Sequence, residues 1–321
     1  MTDLFTGLAP RGKEPARVSA LNQWVNAAAK QNGIAADRLS WFIASTVVMG
    51  VLQRATAGDG SVLFLVKGGA FLERRLQLKS RSTKDVDALF RGTLDEFKKA
   101  VAAVTDKPWG PFTIQLKDMA PIAGAQTSTP PQRFHLQLLI KGQVFRKVKV
   151  EVSFGEGGIA TQSEVMPIPR LDHFGITAPE EIATITLAYQ IGQKLHAATD
   201  PDTPERQNDR VRDIVDLILI RNAFYSNGEN LLPVLRAAQD IFAARAAIAA
   251  ERGATPRLWP PLIKAQALWP TEWNAPAAQA NVTLTLDEAL EEVRQWVVSI
   301  NSAADVGVEE KDGTKVALAA E

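Results

Sequence analysis

The stretch Val62-Leu63-Phe64-Leu65-Val66-Lys67-Gly68-Gly69-Ala70-Phe71-Leu72, and after it Arg81-Ser82-Thr83-Lys84-Asp85-Val86-Asp87-Ala88-Leu89-Phe90, decides how the chain is read. Val62 to Val66 is a short apolar run rich in β-formers, which predicts a buried strand. It stops at Gly68-Gly69, and Ala70 to Lys79 can then form a helix. A second strand is expected over Val86 to Phe90. Asp85 and Asp87 fall on its alternate face, because residues two apart on a strand point to the same side.

Outward from this unit, Val18, Leu21 and Val25 recur at helical spacing. A broad apolar helix is predicted from Asp37, as N-cap, to about Arg54, and another over Leu94 to Val104. Phe112, Ile114 and Leu116 alternate, as do Phe134, Leu136, Leu138 and Ile140, with a proline-containing loop between them. After the turn at Gly142, Val148, Val150, Val152 and Phe154 face one way and Lys147, Lys149, Glu151 and Ser153 the other. Strand, helix, strand, helix and three strands imply an α+β fold with a mixed sheet.

Past Pro169 the pattern reads as helix throughout: Glu180 to Ala198, Glu205 to Tyr225, Leu231 to Arg252, and Leu286 to Ile300 behind a Thr285-x-x-Glu288 capping box. The expected division is residues 1–165, a sheet domain with N-terminal helices, and 166–321, a helical domain. Trp259, Trp269 and Trp273, in a proline-punctuated connector, read as core plugs. Residues after Ser302 are expected to fray.

The chain has 321 residues, is 46% apolar and 22% charged, and contains no cysteine. Disulfides, thiolate metal sites and cysteine nucleophiles are therefore excluded, and three scattered histidines offer little for zinc, so any metal would be held by oxygen. No run approaches the roughly 18 apolar residues of a membrane span, and Met1-Thr2-Asp3-Leu4 lacks a secretion-signal pattern, so a cytoplasmic location without membrane contact is expected. Thirty-six basic residues balance thirty-six acidic ones, which argues against coating nucleic acid by bulk charge. The charge is uneven, however. Arg74, Arg75, Lys79, Arg81 and Lys84 crowd one segment, and Lys141, Arg146, Lys147 and Lys149 another.

Glycines at a strand exit let backbone N–H groups approach phosphate oxygens, with a helix N-terminus behind them. Carboxylates two apart on the next strand can share metal ions for in-line displacement at phosphorus. This order resembles the core of the DNA polymerase β type nucleotidyltransferases. The words Val66-Lys67-Gly68-Gly69-Ala70-Phe71-Leu72 and Arg81-x-Thr83-x-Asp85-Val86-Asp87-Ala88 are similar to the signature of the AbiEii-type nucleotidyltransferase toxins. So are Lys194-Leu195-His196-Ala197 and Arg210-Val211-Arg212-Asp213-Ile214-Val215-Asp216-Leu217.

The resemblance implies a polymerase-β-type lobe followed by a helical lobe, and Mg²⁺ or Mn²⁺ with an NTP as substrate. Lys67, Gly68, Gly69, Arg81, Lys84 and Lys194 would bind the nucleotide, Asp85 and Asp87 the metal, and Asp213 would complete the site. It also implies a cognate antitoxin and transfer to the 3′ end of tRNA, where Arg74, Arg75, Lys79, Lys147 and Lys149 would track the RNA. A protein or small-molecule hydroxyl is the alternative acceptor, and a non-catalytic RNA- or antitoxin-binding scaffold the alternative role. Glu151 reads two ways, as a third, metal-binding catalytic carboxylate or as one half of a cross-strand ion pair. Arg210, Asp213 and Asp216 also fit plain surface pairing along a helix.

Overall fold

The computed structural model describes residues 5, 7–123, 129–204 and 206–304. Among them, β1 (Phe64–Lys67), β2 (Asp85–Phe90), β3 (Thr113–Pro121), β4 (Gln132–Ile140), β5 (Gln143–Phe154), β6 (Glu164–Pro167) and β7 (Glu181–Thr184) form one seven-stranded mixed sheet of order β3-β4-β5-β2-β1-β7-β6. β2 pairs antiparallel with β1 and parallel with β5, while β7 runs parallel to β1. Helices α1 (Val18–Asn32), α2 (Ala36–Leu52), α3 (Gly68–Arg75) and α4 (Leu94–Thr105) accompany the sheet. Phe64, Phe90, Phe97 and Phe154 meet edge-on or tilted in the core beneath the strands, so the buried face of β2 is fixed by aromatic packing.

Several boundaries differ from the sequence reading. Asp37 lies in the first turn of α2 and Ala35 is the N-cap. α3 opens at Gly68 and stops after Arg75, since Gln77 and Leu78 both take left-handed backbone and Leu78 N–H returns to Glu73 O. The predicted helix from Glu180 is strand β7 as far as Thr184. Ile182 and Thr184 alternate inward, and the open edge of β1 takes up the segment. The sheet thus continues well beyond residue 165.

Two compact units result. One comprises residues up to Leu78, Ser82–Gly155 and Ala160–Ile185; the other Lys79–Arg81, Glu156–Ile159 and the residues from Thr186 on. The second unit contains α5 (Leu187–Ala198), α6 (Val211–Phe224), α7 (Leu232–Glu251), α8 (Trp269–Glu272), α9 (Asn274–Gln279) and α10 (Leu286–Asn301). α10 carries the expected capping box of Thr285 and Glu288. The expected start of α6, Glu205, and the tail 305–321 lie outside the described residues. α6 begins at Val211, after a turn in which the buried Asn208 donates to Asp200 O and accepts from Arg210 N–H.

Trp269 and Trp273 plug the core as expected, whereas Trp259 is partly exposed. Trp269 and Trp273 are buried and donate to Asn208 O and Leu284 O, and Trp259 donates to Asn301. Among the described residues no single helix is long and apolar enough to cross a membrane.

α5 and α7 pack so closely that a Cβ on Gly192 would lie 3.0 Å from Ala238 Cα and 3.3 Å from Ala237 O. Both neighbours are backbone and cannot swing aside. Gly192→Val should therefore cost about 1–3 kcal/mol by overpacking. In urea denaturation this appears as a lower midpoint with an unchanged slope; an unchanged midpoint would show that the helix pair has room.

Candidate active site

In the sheet unit, chemistry gathers where β1 gives way to α3. Lys67, the N-cap, is extended and makes no side-chain cap hydrogen bond of its own, and Gly68 turns with φ +70°. A Cβ on Gly68 would stand 2.3 Å from Asp87 Oδ2, so only glycine permits both the turn and the approach of that carboxylate. Asp85 and Asp87 share the polar face of β2, while Val86 and Ala88 between and beside them are buried. The parallel register sets Glu151 opposite Asp87 and Lys149 opposite Asp85.

The carboxylates come with bases of the chain itself. Lys149 Nζ lies 2.8 Å from Asp85 Oδ2 and 3.2 Å from Glu151 Oε1. Partial burial alone would lower the Lys149 pKa, but the bond to Asp85 and the charges of Asp85 and Glu151 hold it above the ordinary lysine value. Arg133, the cross-strand partner of Glu151, donates to Glu151 Oε1 at 2.9 Å. Glu151 therefore makes the cross-strand ion pair and also sits on the face shared by the two aspartates.

Thr83 Oγ1 donates to Asp85 Oδ1 at 3.2 Å, and Lys67 Nζ to Ser153 Oγ at 2.8 Å. Among the described residues no three His, Asp or Glu side chains are gathered closely enough to hold a metal alone. The pair Asp85 and Asp87 still fits Mg²⁺ or Mn²⁺. The donors are hard oxygens, and Mg²⁺ is commonly held by one or two carboxylates with substrate phosphates and water completing its shell.

The expected RNA-tracking residues separate. Arg74 is buried and donates to Ala70 O, Phe42 O, Ser45 Oγ and Thr46 Oγ1, so it is a core residue and no part of a surface strip. Arg75 is partly exposed, 3.8 Å from Glu164. Lys79 and Lys84 are exposed, and Lys147 pairs with Asp118 at 3.0 Å.

The helical unit holds a second cluster. Lys194 Nζ on α5 donates to Asp213 Oδ1 and Asp216 Oδ2 on α6, each at 2.7 Å. Arg81 donates to Asp216 through both Nε, at 3.0 Å, and Nη2, at 2.8 Å. Burial alone would lower the Lys194 pKa, yet the two aspartates outweigh it and keep it raised. Burial alone would raise Asp216, yet Lys194 and Arg81 outweigh it and keep it below the ordinary carboxylate value. Two cations and two anions thus form a closed, neutral set. Surface pairing along the helix is not what α6 does: Arg210 turns to Asp209, and both aspartates face Lys194. His196 is a packed helix-end residue, 3.0 Å from Arg245 and edge-on to Phe242. Burial and then Arg245 and Arg257 push its pKa down to about 2, so it stays neutral.

Residues 51–296, more than half of the chain, match the family model described as nucleotidyl transferase AbiEii toxin, type IV toxin–antitoxin system. The chain belongs to the AbiEii nucleotidyltransferase toxin family. Its fold is similar to that of MenT4, a nucleotidyltransferase toxin from Mycobacterium tuberculosis H37Rv, with a TM-score of 0.50 at 16% identity. The match covers 89% of this chain and 98% of the other. A comparison with curated proteins gives no match.

Within this AbiEii chain, sequence reasoning gave no role to Asp216, Arg133 or Asn208. Asp216 was legible only as part of the Arg210–Leu217 block and as a surface partner of Arg210 along the helix. Its side chain, 1% exposed, accepts from Arg81 and Lys194 together. Asp216→Asn should cost about 3–5 kcal/mol, because it leaves buried cations undercompensated. Since the folded pKa of Asp216 is lowered, its contribution is present above the ordinary carboxylate range and is lost as pH falls through the lowered value. The gap between wild type and Asp216→Asn in urea denaturation should accordingly shrink in acid. A gap that widens there would show that the cluster does not depend on ionised Asp216.

Proposed function

We propose that this AbiEii-family enzyme transfers a nucleoside monophosphate from an NTP to the 3′-hydroxyl of tRNA, releasing pyrophosphate, and so blocks translation as a cytoplasmic toxin restrained by a cognate antitoxin. The observation that carries the reading is the approach of Asp87 to Gly68 at the start of α3, with Asp85 in register beside it. Asp85 and Asp87 would hold Mg²⁺ or Mn²⁺, and Glu151 opposite Asp87 is the third carboxylate in reach of the same face. The cation, when bound, supplies charge neutralisation for the triphosphate and the attacking oxygen.

The chain's own residues supply the rest. The N–H groups of Gly68 and Gly69 open α3 where phosphate oxygens are favoured by the helix dipole. Lys67 and Lys84 add positive charge near them. Within the helical unit Lys194 is kept charged by Asp213 and Asp216, and Arg81 serves chiefly to hold Asp216. With Arg74 in the core, the RNA backbone falls to Arg75, Lys79 and Lys147. A cationic small molecule would need acids in their place.

Purified protein with each α-labelled NTP, Mg²⁺ or Mn²⁺, and total tRNA and protein should label tRNA. Label in protein alone would decide against the acceptor. Asp87→Ala should abolish transfer with the fold kept, because Asp87 lies on the polar face of β2, outside the hydrophobic core; near-normal transfer would show the metal site misplaced. Arg75→Glu should weaken tRNA binding and reduce its salt dependence while NTP binding holds.

A further inference from the structure

Lys149 lies beside Asp85 in the β2–β5 ladder, with its ammonium at 2.8 Å from Asp85 Oδ2 and 3.2 Å from Glu151 Oε1. One side chain thereby bridges two of the three carboxylates on this face. The other Asp85 oxygen accepts from Thr83, and Glu151 also accepts from Arg133. Lysine is a compact charge on a flexible stem, and Lys149 is 33% exposed, so withdrawal needs no opening of the core. Arg133, by contrast, is the direct cross-strand partner of Glu151 and reaches it through both Nε and Nη2.

We propose that Lys149 is the chain's own counter-ion for the carboxylate face, holding Asp85 and Glu151 until a divalent cation displaces it, and that it thereby sets metal affinity. The inference rests on reading Asp85 and Asp87 as metal carboxylates. An ammonium and a divalent cation that share Asp85 Oδ2 would stand within a few ångströms of each other and repel. One must therefore yield, and a partly exposed lysine pair is weak enough to do so. Without a metal, Lys149 offsets part of the acidic charge and keeps the face ordered; with one, it is freed toward solvent. Lys147, two residues earlier on the same face, engages Asp118 and has no such role. The expectation that Lys149 tracks RNA is replaced by this one.

Mn²⁺ alone, titrated by electron paramagnetic resonance into the full chain, tests the idea on wild type and on the variants Lys149→Met, Lys149→Gln, Lys149→Arg, Lys147→Met and Asp87→Ala. Lys149→Met and Lys149→Gln should bind Mn²⁺ on the order of tenfold more tightly than wild type, for loss of one nearby positive charge. Lys149→Arg and Lys147→Met should stay close to wild type. As a second readout, the rise in Tm on adding Mn²⁺ should be larger for the two neutral variants. Equal or weaker binding by both, where wild type binds in an Asp87-dependent way, would overturn the role of Lys149 alone. Wild-type binding that is absent or indifferent to Asp87→Ala would overturn the metal reading, and this inference with it.

Discussion

Six residues, Asp85–Phe90, hold the sheet together. Among the described strands only β2 joins the group β3-β4-β5 to the group β1-β7-β6, antiparallel on one side and parallel on the other. Val86, Ala88, Leu89 and Phe90 are wholly buried, so the strand cannot slip by one residue without turning the core outward. That constraint fixes the two partly exposed positions as well. With the register set by the core, Asp87 must face Lys67 on one neighbour and Glu151 on the other. Reactive side chains are thereby positioned by residues that never touch a substrate.

Legibility followed the same division. The polar face of β2 and the alternation of β5 could be read directly, because a period of two with β-branched residues leaves little choice. β7 was misread because the short stretch from Glu181 to Thr184 runs straight into a real helix, and only the open edge of β1 makes it a strand. Arg74 was misread for a related reason. It stands in a run with Arg75, Lys79, Arg81 and Lys84, but α3 turns it toward the hydroxyls of Ser45 and Thr46, which lie far off in sequence. Lys194 and Asp213 stood out through the resemblance alone. Their geometry, and the part of Asp216 in it, depend on two helices meeting, which no local pattern encodes.

Both acidic clusters carry internal bases in nearly matched number. Asp213 and Asp216 are met by Lys194 and Arg81, and Asp85 and Glu151 by Lys149 and Arg133. A chain with thirty-six charges of each sign therefore balances locally as well as in sum. The two balances differ in depth. The helical cluster is buried and doubly bonded, suited to staying as it is, whereas the sheet cluster is partly open to water, where a lysine can be exchanged for another cation.

The order of segments along the chain limits how this protein can be divided. Lys79–Arg81 and Glu156–Ile159 belong to the helical unit although sheet residues precede and follow each of them. Arg81 is a partner of Asp216, Glu156 is grasped by Arg245, and Gly158 N–H donates to Asp240, which also receives the hydroxyl of Tyr189. A fragment starting at Thr186 would lack all three donors or acceptors, and a fragment ending at Ile185 would carry them without their partners. The helical half is thus not a detachable cassette: gene fusion, splitting or recombination at the Ile185–Thr186 junction would cut through its charge pairs while leaving every helix intact.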